Sequence, residues 1–287
     1  MTPPILVTGA TGNVGGAAAR SLLAAGLPVR VAGTDLRRLQ ARFPDVESAR
    51  LDLHQPDTFP AAVSGTSGLI LVRPPAIARV TPTLNALVDT VARHAPGHVV
   101  FVSVTGADTN RVVPHHRVEK HLRATPLPYT ILRPGFFAQN LADAYRADIR
   151  DHDRIYLPAA QGRVAFVDTR DIGDVAATIF ADTTAHESAA YTLTGSEALT
   201  FHAVAGLLTE ALGRPVSYQP ASVGGYLRHL RRQRLPLPQC LVQTVLHTGL
   251  RHGQAEQVDP TLARLLQRAP RSMAQYVRDH REVWKQR

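Results

Sequence analysis

Apolar residues run along this chain in two rhythms. Short unbroken runs at Ile5-Leu6-Val7-Thr8, Pro28 to Ala32, Gly68 to Val72, His98 to Ser103 and Tyr129 to Arg133 read as strands, and Asp45 to Leu53 contains another. Between them lie stretches of helical period: Asn13 to Ala25, a short one from about Asp35, Thr83 to His94 with Leu84, Leu87, Val88 and Val91 on one face, and Pro114 to Arg123. Continuously apolar strands alternating with helices predict a parallel sheet covered on both faces. After residue 134 the alternation lapses. A helix begins at Asp171, a strand covers Tyr191 to Leu193, Thr200 caps a helix reaching Leu212, and Pro215 to Tyr218 is extended. From Ser222 onward the pattern is mostly helical.

The first strand leads into Thr8-Gly9-Ala10-Thr11-Gly12-Asn13-Val14-Gly15, with a helix behind it. Glycines spaced by three allow a tight turn, a close approach to a pyrophosphate and close helix–sheet packing, while the helix start offers N–H groups to phosphates. The fold class is therefore α/β: a doubly wound parallel Rossmann-type sheet over residues 1–134. Residues 135–287 are expected to add late strands and a smaller, mostly helical C-terminal lobe in one integrated unit. The second strand ends in Ala32-Gly33-Thr34 with no acid at its tip, and Asp35, Arg37 and Arg38 follow. That favours NADP over NAD, although Asp35 as a helix cap with two solvated arginines also fits. Asp52 is placed to meet the adenine amino group or to cap the next turn.

Composition narrows the class. With 44% hydrophobic and 19% charged residues the chain is an ordinary globular one, and no apolar run is long enough to span a bilayer. The stretch before Ile5 lacks the positive region and cleavage site of a signal peptide, and the single cysteine, Cys240, suits a reducing compartment. A cytoplasmic location is expected. The net charge of +9 comes almost wholly from arginine, with one local cluster at Arg228, Arg231, Arg232 and Arg234. Such a cluster is a solvated helix face or a basic pocket for an anion rather than a DNA footprint. Thirteen histidines without HExxH or comparable spacing argue against a metal, and no Gly-x-Ser-x-Gly elbow supports a hydrolase.

The opening glycine motif, Ser103-Val104-Thr105-Gly106-Ala107, Tyr129 to Asn140 (YTILRPGFFAQN), Val167 to Ile172 and Asp279 to Trp284 together resemble the NmrA-like branch of the atypical short-chain dehydrogenases/reductases. That branch includes NAD(P)H-dependent quinone and imine reductases and redox-sensing regulators. The resemblance implies a cofactor cleft over Thr34, Leu53, Val72, Arg73, Pro74 and Pro134. It also implies an acceptor site near Thr105, with Phe136 and Phe137 as walls, one of them in the pocket and one in the core, and Asn140 as a polar handle.

Most short-chain reductases use a Tyr-x-x-x-Lys pair, which this chain lacks. One register puts His116 and Lys120 at its positions after Ser103. Helix geometry favours another, because His115, Val118 and Leu122 fall within about 60° of one another on the apolar face. His116 and Lys120 then point into solvent, Arg111 occupies the tyrosine position, and His115 takes the lysine's. His115 could bond the nicotinamide ribose, relay a proton near neutral pH, or simply be a satisfied half-buried histidine. Ser103 would touch the acceptor or the carboxamide, or be only a turn residue.

The expected function is an NAD(P)H-dependent reductase of a small apolar conjugated acceptor (quinone, enone, imine or ketone), of the kind found in secondary metabolism. The alternative is a non-catalytic NAD(P)-sensing regulator. The expected partner is a small-molecule substrate, with no nucleic acid and no membrane, in a monomer or homodimer.

Overall fold

The computed structural model describes residues 2–95 and 97–285. Its main sheet has seven parallel strands: β1 (Ile5–Thr8), β2 (Val29–Gly33), β3 (Glu47–Arg50), β4 (Gly68–Val72), β5 (His98–Val102), β6 (Tyr129–Pro134) and β9 (Ala189–Leu193). The spatial order β3-β2-β1-β4-β5-β6-β9 reverses direction between β1 and β4. That reversal opens the crevice in which such sheets bind ligands, at the carboxyl ends of the strands. Strands β1, β4 and β5 are buried on both faces, which explains their unbroken apolar runs.

The connections are α1 (Asn13–Ala24), α2 (Leu36–Arg42), α3 (Phe59–Val63), α4 (Ala86–His94), α5 (Pro114–Arg123) and α7 (Thr169–Ala181). The buried face of α1 is Gly15, Gly16, Ala17, Ala18, Ala19 and Leu22, small enough for close packing.

The chain divides into two units. The first holds the chain up to Pro134, Thr169–Leu193 and Arg264–Arg268. The second holds Gly135–Asp168, Thr194–Ala263 and the stretch from Ala269 onward. Thus β9 and α7 rejoin the sheet from beyond the 134 boundary. The second unit contains α6 (Arg146–His152), the short strands β7 (Arg154–Leu157), β8 (Arg163–Val164), β10 (Leu199–Thr200) and β11 (Ser217–Pro220), and the helices α8 (Phe201–Leu212), α9 (Val223–Arg232), α10 (Leu237–Leu250) and α12 (Met273–His280). Helix α11 (Thr261–Leu266) runs across the division. β7 pairs with β11 in parallel and β8 with β10 antiparallel. Tyr145, Phe166, Phe201, Tyr226, Tyr276 and Trp284 supply the aromatic bulk of the second unit's own core.

Candidate functional site

At the tip of β1 the chain turns on Gly9, whose φ of +65° is the left-handed conformation that glycine adopts without strain. The Gly12 amide donates to the Gly9 carbonyl at 2.9 Å and Gly12 becomes the N-cap of α1. No side chain caps that helix and its first turn carries no acid, a helix start that suits an anion. A Cβ on Gly15 would come within 2.5 Å of the Thr8 and Gly9 carbonyl oxygens, so only glycine lets α1 pack this tightly on the loop. Thr11 lies in the same loop and Asn13 and Val14 open α1, while Val72 at the tip of β4 lies against Gly9. These features fit a pyrophosphate.

At the tip of β2, the Asp35 carboxylate accepts from the Arg38 amide at 3.0 Å and caps α2. The one acid near the tip is thus spent on a helix end. Thr34, Arg37 and Arg38 are exposed there. The guanidinium that reaches the glycine loop is a different one: Arg42 Nη1 donates to the Thr11 carbonyl at 2.9 Å. Arg20 stands close enough that burial and the Arg42 charge lower its pKa. Sequence reasoning missed Arg42, although it lies one turn beyond Arg38 on the same helix. Asp52 accepts from the His54 amide at 2.9 Å, closing a local turn, and Leu53 is buried in the core behind it.

The third strand end bearing on the site is β4. Arg73, with Pro74 after it, turns its guanidinium back on the chain, donating from Nη1 to the carbonyls of Pro74, Pro75 and Ile77 and from Nε to His115 Nε2 at 3.1 Å. An arginine can only donate, so His115 Nε2 accepts and its proton sits on Nδ1. That Nδ1 is buried with no hydrogen-bond partner among the described residues. Burial, reinforced by the Arg73 charge and opposed by Glu119, lowers the His115 pKa to about 4. This corrects the expected proton relay near neutral pH: the imidazole is held neutral there, a fixed hydrogen-bond donor. An orphaned buried donor at the strand ends is a fit for a cofactor hydroxyl or amide oxygen.

The α5 register stands as helix geometry predicts for His115, Val118 and Leu122, all buried, and for Lys120, which is exposed. His116 departs from it. It is half-buried, and its Nδ1 donates to the Ala107 carbonyl at 2.8 Å, because the loop after β5 packs over that side of the helix. Ser103 Oγ donates to Glu119 Oε1 at 2.6 Å. Glu119, fully buried, also receives Arg133 through Nε at 3.0 Å and Nη2 at 2.7 Å, and Arg123 at 3.2 Å. Burial alone would raise its pKa, but the hydrogen bonds from Arg133 and Ser103 and the charges of Arg133 and Arg123 outweigh it and hold the carboxyl ionised. The Ser103 hydroxyl is therefore engaged inside a structural network that sequence reasoning missed. Thr105 is exposed, its amide donating to the Pro134 carbonyl at 3.0 Å and its hydroxyl to that of Arg133 at 3.2 Å.

Phe136, Phe137 and Asn140 belong to the second unit. Both rings are half-buried, where one pocket ring and one core ring were expected. Phe136 meets Phe166 and His247 edge-on, with centroids 5.7 and 5.9 Å away, while Phe137 forms a bridge with Val167. The backbone carbonyl of Asn140 accepts from the Tyr145 amide at 3.0 Å. His247 donates from Nδ1 to the Gln243 carbonyl at 2.6 Å and accepts at Nε2 from the Tyr145 hydroxyl. Burial lowers the pKa of His247 and raises that of Tyr145.

The model of the NmrA-like family matches residues 1–277. The chain belongs to that family. The chain is 35% identical over 222 residues to an NAD(P)H azoreductase of Xenophilus azovorans, covering 75% of this chain and 76% of that one. Among solved structures, the triphenylmethane reductase of Citrobacter sp. complexed with NADP(H) superposes with a TM-score of 0.85 at 22% identity, covering 96% and 99% of the two chains. The NADPH-dependent quinone oxidoreductase of Escherichia coli, complexed with NADPH, gives 0.84 at 23% identity over 95% and 98%. At that identity the superpositions speak for the fold. The family match, the 35% identical relative and the glycine cradle together support an oxidoreductase that uses NAD(P)H.

Proposed function

We propose that this protein reduces a small, apolar, conjugated acceptor whose hydride adduct is stable without a strong protein acid. Quinones lead that class, with cationic triarylmethane dyes beside them. The observation that supports it is the state of His115. Arg111 stands where the family's tyrosine would, and a histidine with a pKa of about 4 carries no acidic proton at neutral pH. A simple ketone needs a proton at its oxygen as hydride arrives; a quinone or a carbocation does not. NADPH, when bound, supplies the hydride.

The chain's residues bind and orient. The Gly9–Gly15 cradle and the first turn of α1 hold the pyrophosphate, while Arg42, Arg37 and Arg38 favour a 2′-phosphate. His115 Nδ1–H is offered to the nicotinamide ribose or carboxamide, and the Ser103–Glu119–Arg133 network fixes α5 beneath it. In this reading the first unit offers Thr105 to the acceptor, and the second unit separately carries Phe136, Phe137 and Asn140 as candidate acceptor contacts.

The test is NADPH oxidation by the purified protein with benzoquinones, triarylmethane dyes and unactivated ketones. Turnover with the conjugated acceptors and none with ketones is expected. Tight NADPH binding with no oxidation by any acceptor would overturn the reading in favour of a dinucleotide sensor.

A further inference from the structure

Helix α10 is inside out. Its inward side presents Cys240, Thr244, His247 and Leu250, with Thr244 bonded to the Cys240 carbonyl and His247 to Tyr145. Its outward side carries Leu237, Leu241, Val242, Val245 and Leu246, each 48–70% exposed. At about 100° per residue these five cover roughly half the helix circumference, opposite the usual orientation of a surface helix. The helix has no Lys, Arg, Asp or Glu. An apolar face of this extent on a helix exterior marks an interaction site.

The surrounding charge identifies the partner. Residues 211–255 contain no Asp or Glu and six arginines, four of them (Arg228, Arg231, Arg232 and Arg234) exposed on α9 and the turn into α10. A second copy of this chain would bring two arginine clusters against each other. A nucleic acid would satisfy the arginines and leave the aliphatic stripe in water. A surface that is anionic outside and hydrocarbon beneath satisfies both.

We infer that the α9–α10 hairpin docks on an anionic phospholipid bilayer, with the Leu/Val stripe of α10 in the headgroup–acyl boundary and the arginines on lipid phosphates. No helix among the described residues is long and apolar enough to cross a membrane, so this is a docking surface and not a span. It narrows the expectation of no membrane partner to the absence of a crossing.

The experiment is vesicle flotation of the full chain with phosphatidylcholine alone and with phosphatidylcholine containing phosphatidylglycerol. Partition at least about tenfold stronger onto the anionic vesicles is expected, falling as salt screens the arginines. Leu241→Ser, Val245→Ser and Leu246→Ser combined should remove that partition, as should Arg231→Glu with Arg232→Glu, while thermal melts and NADPH binding stay unchanged. Equal, weak partition onto both vesicles overturns the inference. So does a dimer in sedimentation velocity that the triple serine variant dissociates, because the stripe would then be covered by a second copy.

Discussion

His115 in the first unit and His247 in the second are both buried, both held below the ordinary histidine pKa, and both accept a hydrogen bond at Nε2. They differ at the other nitrogen. His247 donates from Nδ1 to the Gln243 carbonyl at 2.6 Å, so its hydrogen-bonding capacity is used up within the protein. His115 Nδ1 has no partner among the described residues. A buried donor left unmade costs about 1–3 kcal/mol, which a fold would shed if the group had no use. The contrast separates a histidine that closes a core from one kept open for a ligand.

The open donor of His115 and the closed one of His247 can be told apart by substitution, once the glycine loop supplies a protein that binds no cofactor. Gly12→Val places a side chain at the open N-cap of α1 and should abolish dinucleotide binding while circular dichroism stays native. With that variant as the zero of cofactor binding, the histidines can be compared. His247→Ala removes the acceptor of the buried Tyr145 hydroxyl and leaves a cavity, so urea unfolding should show a loss of about 3 kcal/mol with cofactor affinity retained. A His247→Ala protein of native stability that has lost NADPH would reverse the roles assigned to the two residues.

Each of two buried histidines should make stability fall by a comparable amount as pH drops. A histidine near 6.5 when unfolded and about 4 when folded leaves the unfolded state holding more protons between those values. Its stability is therefore complete above about pH 6.5 and is lost as pH drops toward 4, by about 3 kcal/mol. His98, also pushed down to about 4 by burial and by His186, acts in the same window. His115→Gln should remove one share of the slope and leave the other, as read from urea midpoints between pH 7 and 4. A slope unchanged by His115→Gln would mean that the imidazole is not held neutral.

Smaller effects follow at the site. His115→Ala should weaken NADPH binding or turnover about fivefold, the worth of one hydrogen bond of about 1 kcal/mol. Arg42→Ala should cost NADPH about tenfold and NADH little; equal losses would remove Arg42 from the 2′-phosphate. Lys120→Ala, on the exposed side of α5, should change neither cofactor binding nor turnover measurably.

The first-unit strands and the glycine loop were legible because both are local in sequence: an apolar run or a spacing of three needs no knowledge of distant residues. The short strands β7, β8 and β10 gave no such signal. β8 and β10 are two residues each, and β7 draws its pairing from β11, more than sixty residues on. Arg42 reaches Thr11 across 31 residues, and Tyr145 reaches His247 across 102. The face of α5 was predictable for His115, Val118 and Leu122, whose environment is the sheet. It failed for His116, whose environment is a loop with no period to read.

Thr8 carries one further consequence. β1 and β4 pair in register from Ile5 to Val7 and then part at the switch point. There the Thr8 hydroxyl donates to the Ile70 carbonyl at 3.1 Å and accepts the Val72 amide at 2.9 Å. A side chain replaces a ladder rung, so the strands splay without stranding an amide. In deuterium exchange the Val72 amide should accordingly be slow although it lies at the mouth of an open crevice, and Thr8→Val should make it fast.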